Sequence, residues 1–211
     1  MPSSAAGVRR HRPRPAGPSA GDQRRARLLA ALDELLETRA FTDIGINDVA
    51  RRAGLSRPSF YFYFPSKAAA VAALLGDMYQ NVLRTAPWFD QHSGDPLTQL
   101  RSGIEHTATM WRARPRLMAA MLDAVHDDAD VKSTWDDWLA EFEVRTAARV
   151  RADQAAGAAR TDIDVEAMAR VLVGVIFHAM EDDVRDLQAG RPPRPQLVTT
   201  VYDVWRHSLY Q

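Results

Sequence analysis

Cysteine is absent from this chain of 211 residues. Its absence excludes disulfide bonds, thiolate metal sites and cysteine nucleophiles, and it fits a reducing compartment. Long apolar runs are missing too: the run at residues 171–177 is far too short to cross a bilayer, and the N-terminal stretch lacks the apolar centre of an export signal. The protein is therefore expected to be cytoplasmic.

Signatures of sheets and of common enzymes are missing as well. No segment alternates apolar and polar residues for long enough to predict a strand, and no glycine-rich phosphate loop or nucleophile elbow occurs. Apolar residues instead recur every three or four positions over most of the chain. These patterns predict an all-α protein that is not an enzyme and that holds no cofactor.

Net charge is zero over the whole chain, but its two ends differ in sign. Residues 1–67 carry 12 lysines and arginines against 6 acidic residues, and the remaining 144 residues carry 15 against 21. Because salt screens charges beyond about 8 Å, the local sign matters more than the sum. A basic N-terminal part of this kind permits DNA binding.

Composition and helix breakers predict three parts. Residues 1–21 are rich in proline, glycine and arginine and are predicted to be a disordered basic arm, which either adds contacts to DNA or only aids solubility. Residues 22–67 are predicted to form a compact DNA-binding unit. Residues 68–211 form the third part, with apolar-periodic stretches at about 96–113, 115–126, 130–157, 164–189 and 195–210 between prolines and glycines.

Residues 44–64 have the pattern of two short helices joined by a tight turn. Gly45 is a tolerated N-cap for the first helix. Gly54 stands where that helix must end in a left-handed residue, a conformation that glycine adopts at little cost. Ser56 can cap the second helix, whose first turn tolerates Pro58. The segment therefore predicts a helix-turn-helix.

The second of these helices ends in five consecutive aromatic residues. Phe60 and Phe64, four residues apart, can form its buried stripe. The alternative is that the whole aromatic run is ordinary core and that the nearby arginines are a solvated face, but this does not account for the turn glycine, the serine cap and the proline occurring together. The side chains left outside suit a DNA major groove: Arg57, Ser59, Tyr61 and Tyr63.

The motif DVARRAGLSRPSFYFYFPSK at residues 48–67 resembles the DNA-binding signature of the TetR family of bacterial transcriptional regulators. The segment VWRHSLY at residues 204–210 is similar to the end of one of its members. The resemblance implies an all-helical fold of about nine helices, in which the first three bind DNA and the last two form a homodimer interface. Gly45 departs from the family, which usually has serine or threonine at that cap.

By the same resemblance, the motif is expected to contact double-stranded operator DNA. The implied contacts are Ser56, Arg57, Ser59, Tyr61 and Tyr63, with Lys67 on a phosphate and with Phe60 and Phe64 in packing. The expected function is a repressor that a small hydrophobic effector releases from a palindromic operator. A ligand-responsive activator, a ligand carrier without DNA binding and an enzyme remain as alternatives.

Large apolar side chains recur in the C-terminal part at the spacing of helix faces. Such stripes are more often ordinary core than pocket. The family resemblance nevertheless favours a tunnel for a bulky apolar ligand, which methionine and tryptophan suit. The predicted ligand-binding residues are Met110, Trp111, Met121, Trp135, Trp138, Phe142, Phe177 and Trp205, with Thr107, Thr146 and His178 as candidate polar groups.

Two apolar stripes on the last two helices are candidates for the dimer interface, although each could instead pack within one subunit. They consist of Met168, Leu172, Val175 and Ala179, and of Leu197, Val201, Val204, Trp205 and Ser208. Acidic clusters beside His126 and His178 are the places where an enzyme would hold a metal. Their spacing is closer to that of a solvated acidic face, so no metal site is predicted.

Overall fold

The computed structural model describes residues 19–85, 87–89 and 94–210, and this part of the chain is helical without any strand. Two short 3-10 turns lie at Phe41–Asp43 and Pro87–Phe89. The predicted all-α fold of about nine helices is confirmed. The helices are α1 (Ala20–Leu36), α2 (Ile46–Arg52), α3 (Arg57–Tyr63), α4 (Lys67–Thr85), α5 (Pro96–Ala113), α6 (Pro115–Asp127), α7 (Ala129–Ala155), α8 (Val165–Gln188) and α9 (Leu197–Leu209).

The first helix begins slightly earlier than its sequence pattern predicts. The Ser19 hydroxyl accepts a hydrogen bond from the Asp22 N–H at 3.1 Å, and the Asp22 carboxylate accepts one from the Ser19 N–H at 3.0 Å. This capping box starts α1 at Ala20, so the predicted arm of residues 1–21 is too long at its C-terminal end. Residues 1–18 of that arm lie outside the described part of the chain.

Helices α1, α2 and α3 pack around one small apolar core. Leu28, Leu32 and Leu36 of α1, spaced four residues apart, are buried there against Val49 of α2 and Phe60 of α3. Because one stripe of α1 fills this core, its opposite face stays in solvent. Packing against α1 and α2 thus holds α3 at the surface of a compact unit.

Helix α4 connects this unit to the rest of the protein. It packs against α1 on one side and against α6 and α7 on the other. The boundary predicted at residue 67 falls at its first residue. Helix α4 is therefore in contact with both the N-terminal unit and the larger C-terminal body.

The C-terminal body is built around α8, which packs against α5, α6, α7 and α9. A buried polar cluster joins α7 to the residue that follows α9. The Asp153 carboxylate accepts from Arg149 Nε at 2.9 Å and from the Tyr210 hydroxyl at 2.6 Å. Burial, with the bond to Asp153, raises the pKa of Tyr210. Removal of Arg149 or Asp153 would leave a buried charge uncompensated, and the Tyr210 hydroxyl bonded to Asp153 holds the end of α9 against α7. No helix in the described ranges has the length and apolarity that a membrane span requires.

Candidate nucleic-acid interface and ligand cavities

The turn between α2 and α3 contains a left-handed backbone conformation, which its glycine adopts at little cost. Gly54 has a φ of +66°, in the left-handed region. The Leu55 N–H donates to the Ala50 carbonyl at 2.8 Å and closes the end of α2. At the start of α3, the Ser56 hydroxyl accepts from the Ser59 N–H at 3.3 Å. The predicted helix-turn-helix is confirmed.

Gly45 caps α2 without a side chain of its own. The Asp48 carboxylate supplies the other half of a capping box, because it accepts from the Gly45 N–H at 3.2 Å, and it pairs with Arg39 at 3.1 Å and Arg51 at 2.7 Å. The Gly45 N–H, together with Arg39, lowers the pKa of Asp48. The Asp48 N–H, which a serine or threonine hydroxyl would bind, donates instead to the Gly45 carbonyl at 2.9 Å.

Helix α3 buries two of its aromatic rings and exposes others. Phe60 and Phe64 lie in the core, as their four-residue spacing predicts. Phe62, about 200° around the helix from both, is 80% exposed, and Tyr61 is 45% exposed. Tyr63 is half-buried, with its ring edge-on to Phe62. The outward centre of α3 is therefore Phe62, which the sequence argument did not select.

The rest of α3 carries polar and basic groups. Arg57 Nη2 donates to the Tyr61 hydroxyl at 3.3 Å, and its guanidinium carbon lies 5.6 Å from the centre of that ring. The Ser56 and Ser59 hydroxyls are 2.9 Å apart and bonded to each other. The Arg25 guanidinium of α1 lies 5.2 Å from the Phe64 ring centre. An arginine of α1 therefore lies beside the C-terminal end of α3, over the buried Phe64 ring.

Lys67 is bonded to backbone carbonyls of the N-terminal unit. Its ammonium donates to the Phe41 carbonyl and, at 2.7 Å, to the Ile44 carbonyl, and it lies 4.0 Å from the Phe41 ring centre. Burial lowers the pKa of Lys67. Because an ammonium has three N–H groups, one remains for the phosphate contact, which stays a prediction.

Two small apolar cavities lie inside the C-terminal body. The first, called the α9 cavity, has a volume of about 50 Å³. The second, called the α4 cavity, has a volume of about 40 Å³. Trp88, Phe89, Leu100, Gly103, Ile104, Thr107, Phe142, Thr146, Val173, Ile176, Phe177 and Trp205 line the α9 cavity. Leu75, Met78, Tyr79, Thr107, Met110, Trp111, Met118, Trp135, Trp138, Phe142 and Phe177 line the α4 cavity.

A shared wall separates the two cavities. Thr107, Phe142 and Phe177 line both, and the Phe142 and Phe177 ring centres are 5.4 Å apart. Since sites for drug-sized ligands usually measure about 300–1,000 Å³, neither cavity holds such a ligand at its present size. A guest of that size must displace the wall and join the cavities.

Most of the residues predicted to bind a ligand lie around these cavities. Met110, Trp111, Trp135 and Trp138 line the α4 cavity, Phe142 and Phe177 line both, and Trp205 lines the α9 cavity. Two assignments are corrected. Met121 is fully buried in α6 and belongs to the core, and His178 lies on the exposed side of α8.

Several lining residues were missed by the sequence analysis. Trp88 and Phe89 belong to a 3-10 turn of three residues, which is too short to carry a periodic signal. Leu75, Met78 and Tyr79 of α4 do recur at three and four residues, so their spacing could have identified an inward face.

Tyr79 joins α4 to the wall of the α4 cavity. Its ring stacks on Trp138 of α7, with ring centres 4.6 Å apart and planes 15° from parallel. Its hydroxyl donates to the Trp138 carbonyl at 3.2 Å and to the Glu141 carboxylate at 2.9 Å. Burial, with the bond to Glu141, raises the pKa of Tyr79. Trp138, which lines the α4 cavity, is thus in direct contact with α4.

The predicted dimer stripes divide between core and surface. Leu172, Val201 and Trp205 are buried within the subunit, so these members are corrected to core. Val204 of α9 is 40% exposed, and Val171 of α8, outside the predicted stripe, is 61% exposed. The remaining members, Met168, Val175, Ala179, Leu197 and Ser208, are partly buried.

The acidic clusters have structural partners. Asp128, near His126, caps α7 and accepts from the Ser66 hydroxyl at 2.7 Å. His178 faces Asp182 at 3.7 Å on an exposed surface. Within the described ranges, no group of three or more histidine and acidic side chains could hold a metal ion.

Comparisons with known proteins agree with this architecture. The model described as "Bacterial regulatory proteins, tetR family" matches residues 28–74, and the model "Transcriptional regulator EthR, C-terminal domain" matches residues 100–211. The HTH-type transcriptional regulator EthR of Mycolicibacterium smegmatis is 31% identical to the chain, over 99% of this chain and 96% of its own length.

Solved structures provide the comparison of fold. The SmeT–triclosan complex matches with a TM-score of 0.69 at 15% identity, over 89% of this chain and 92% of SmeT. NalD, the secondary repressor of the MexAB-OprM multidrug efflux pump in Pseudomonas aeruginosa, matches with a TM-score of 0.67 at 15% identity, over 90% of this chain and 98% of NalD. At this identity, the likeness shows the shared fold alone.

Proposed function

Because the chain belongs to the TetR family of bacterial transcriptional regulators and carries a C-terminal domain of the EthR type, we propose that it is a repressor that a small hydrophobic effector releases from its operator. The observation that carries this proposal is the exposed face of α3, where Tyr61 lies beside Arg57 and Phe62 is 80% exposed. The protein acts in the cytoplasm, where it meets its DNA.

The exposed face of α3 supplies groups of the kinds that read a major groove. A guanidinium such as that of Arg57 can donate two hydrogen bonds to one guanine, and an apolar ring such as Phe62 can pack on a thymine methyl group. Tyr61 and Ser56 have hydroxyls suited to phosphates. The exposed arginines in the first turns of α1, Arg24 and Arg27 among them, add attraction to the phosphate backbone.

A homodimer makes this reading specific. Two copies of α3 that are about 34–36 Å apart can enter successive major grooves on one side of a palindromic operator. In the proposed dimer, the exposed valines of α8 and α9 form the apolar surface of the interface. One subunit alone would hold DNA only weakly, because it has half of the contacts.

The effector site in this proposal is the pair of cavities. Their lining is almost wholly apolar, with tryptophan, phenylalanine and methionine side chains that adapt to a bulky guest. The SmeT structure of the same fold is a complex with triclosan, which supports a small-molecule site in a body of this shape. The effector must prefer a wider state than the one described here, because the cavities are small.

Release from DNA follows from that preference. An effector that opens the α4 cavity displaces Trp138, and with it Tyr79 on α4. Because α4 begins only four residues after α3 ends, its tilt changes the separation of the two recognition helices. The effector then weakens DNA binding by the difference between its affinities for the two states.

Selection of genomic fragments with the purified protein, followed by footprinting, tests the DNA-binding part of the proposal. We expect a palindromic site whose half-sites are about one helical turn apart, and an affinity that falls steeply with salt. The Tyr61→Ala variant should leave the dimer folded and should fail to protect this site. Recovery of no specific fragment, or full protection by Tyr61→Ala, would contradict the proposal.

A reporter gene placed behind the recovered site tests the direction of regulation. We expect expression to be low when the regulator is present and to rise when it is removed. Lower expression in its absence would instead identify an activator.

A further inference from the structure

A cleft of about 450 Å³ lies between the N-terminal unit and the C-terminal body. The connector between α1 and α2 forms one side of it, and α6 and the C-terminal end of α8 form the rest. Three arginines and one aspartate are the charged residues among its described lining, so it is called the basic cleft. Its polar lining residues are Arg39, Arg116, Asp123, Arg185 and Gln188.

The charge of the basic cleft is opposite to that of the body around it. Residues 68–211 carry 15 lysines and arginines against 21 acidic residues. A neighbouring cleft is lined by two arginines and two acidic residues, and a groove between α4 and α7 by one of each. An excess of arginine at one concave place on an acidic body indicates a site for an anion.

The three guanidinium groups keep N–H donors for a ligand. Arg116 is exposed, and within the described part of the chain no hydrogen bond or ion pair engages its side chain. Arg39 is bonded to the Asp48 carboxylate at 3.1 Å and to a backbone carbonyl, and Arg185 is bonded to the Asp182 carboxylate at 3.2 Å. Neither carboxylate lines the cleft. Since a guanidinium has five N–H donors, these two arginines also retain several.

The lining of the basic cleft defines the chemistry of its ligand. Arginine binds phosphate through two parallel N–H···O bonds, and a phosphate group with two negative charges compensates three guanidinium groups better than a single carboxylate does. The remaining wall is mostly apolar and includes Phe41, Ala119 and Ala120. A volume of about 450 Å³ is in the usual range for small-molecule sites, so an organic part of the ligand also has room.

We propose that the basic cleft binds a small organic phosphate, whose phosphate oxygens accept hydrogen bonds from Arg39, Arg116 and Arg185. This ligand is distinct from the apolar effector, and the inference does not depend on the proposed function. Arg39 belongs to the connector that follows α1, whereas Arg116 and Arg185 belong to the body. A bound phosphate therefore contacts both parts of the protein and stabilises the arrangement described here.

Isothermal titration calorimetry of the full-length protein with inorganic pyrophosphate tests the site. We expect saturable binding, with a Kd about tenfold higher or more in Arg116→Gln, because charge-assisted hydrogen bonds are lost. Asp123→Asn removes the carboxylate of the cleft and should lower the Kd about threefold, a gain that damage to the fold cannot produce. Arg151→Gln, at an exposed arginine of α7 outside the cleft, is the matched control and should bind as before.

Equal pyrophosphate affinity in Arg116→Gln and in the unchanged protein would overturn the proposal. An equal loss in Arg57→Gln would overturn it too, because the anion would then lie on the α3 surface. The same loss in Arg151→Gln would show attraction by total charge alone, which also contradicts a site. Tighter binding of citrate, a tricarboxylate, than of pyrophosphate would overturn the assignment to phosphates.

The DNA backbone is another source of phosphate, and gel-shift titration on the selected operator distinguishes it from a small molecule. We expect Arg116→Gln to bind the operator as the unchanged protein does. A loss of operator affinity in this variant would mean that the cleft contacts DNA, and it would overturn the small-molecule site. Conversely, a protein that selects no operator but binds pyrophosphate through Arg116 would refute the repressor and leave the basic cleft standing.

Discussion

At the scale of single residues, α3 carries aromatic rings on both of its faces. Phe60 and Phe64 anchor the helix in the core, and Phe62 stands outside it at 80% exposure. Leaving a phenylalanine in water forgoes roughly 1.5–3 kcal/mol of burial. A single exposed ring is common on protein surfaces, but this one lies at the outward centre of a helix edged by Arg57 and Tyr61. DNA is the partner that would bury it.

Replacement of Phe62 by alanine tests this reading of α3. We expect Phe62→Ala to lower operator affinity about tenfold or more, since an apolar base contact contributes on the order of 1–3 kcal/mol, and to leave thermal stability nearly unchanged because the ring is outside the core. Gel-shift titration on the selected operator gives the affinity. Val144→Ala, at a 68% exposed valine of α7, is the matched control and should bind as before.

Unchanged DNA affinity in Phe62→Ala would place the contact surface elsewhere on the N-terminal unit. A large drop in its melting temperature would show that the ring supports the fold after all. Either outcome would remove Phe62 from the interface.

How far single residues could be predicted depends on the range of their interactions. Gly54 and Ser56 act on backbone within a few positions, so their roles follow from sequence alone. The hydrogen bonds of Lys67 could not be predicted, because the carbonyls that accept them belong to Phe41 and Ile44, more than twenty positions earlier. The prediction that Met121 lines the ligand site has another weakness, because periodicity gives the face of a helix on which a residue lies but not its depth in the core.

At the scale of helices, prolines and caps make the boundaries predictable. Pro96 and Pro115 each occupy the first turn of a helix, and Asp95 and Asp164 each cap one with a carboxylate. The predicted stretches of the C-terminal part therefore end within about two residues of the observed helices. The 3-10 turn at Pro87–Phe89 escaped prediction, and with it Trp88, because three residues show no period.

Helix α4 is joined to α7 by side-chain hydrogen bonds at two places. Tyr79 contributes one stacked ring and two hydrogen bonds to that contact. Near the other end of α4, the Ser66 hydroxyl donates to Asp128, the cap of α7. Because α4 is attached to α7 near both ends, a shift of α7 caused by a ligand is expected to move α4 as a rigid rod.

Replacement of Trp138 by alanine should separate effector response from DNA binding. We expect Trp138→Ala to bind the operator within about threefold of the unchanged protein, because the residue is remote from α3, and to need at least tenfold more of the hydrophobic effector for release, because the stacking partner of Tyr79 is lost. The measurement is a titration of the preformed operator complex.

Tyr79→Phe refines this test, since it keeps the stacked ring and removes both hydrogen bonds of the hydroxyl. We expect its response to lie between those of Trp138→Ala and the unchanged protein. If Trp138→Ala lost DNA affinity and kept its release concentration, the proposed route through α4 would be wrong.

At the scale of the whole molecule, the uneven charge and the exposed valines both fit the proposed dimer. The basic end and the acidic body keep phosphate attraction local to α1 and α3. The body offers Val171 on α8 and Val204 on α9 as exposed apolar groups. A β-carbon added at Gly174, one turn from Val171, would meet nothing within 4 Å in the subunit, so a partner helix could approach closely there. Pairing of two such bodies would bring two basic ends to one side.

A charged residue introduced on α8 is expected to dissociate this proposed dimer. Val171 is 61% exposed in the subunit, so Val171→Glu should leave the subunit folded but bury an unpaired carboxylate in a dimer. We expect sedimentation velocity to show a monomer at micromolar concentration. Operator affinity should fall about a hundredfold or more, because the N-terminal unit of a second subunit is no longer held close to the DNA at high effective concentration. Val144→Glu, at an equally exposed valine of α7, should remain dimeric and bind DNA normally. Since both variants add the same charge, a dimeric Val171→Glu protein, or dissociation of both variants alike, would move the interface away from α8.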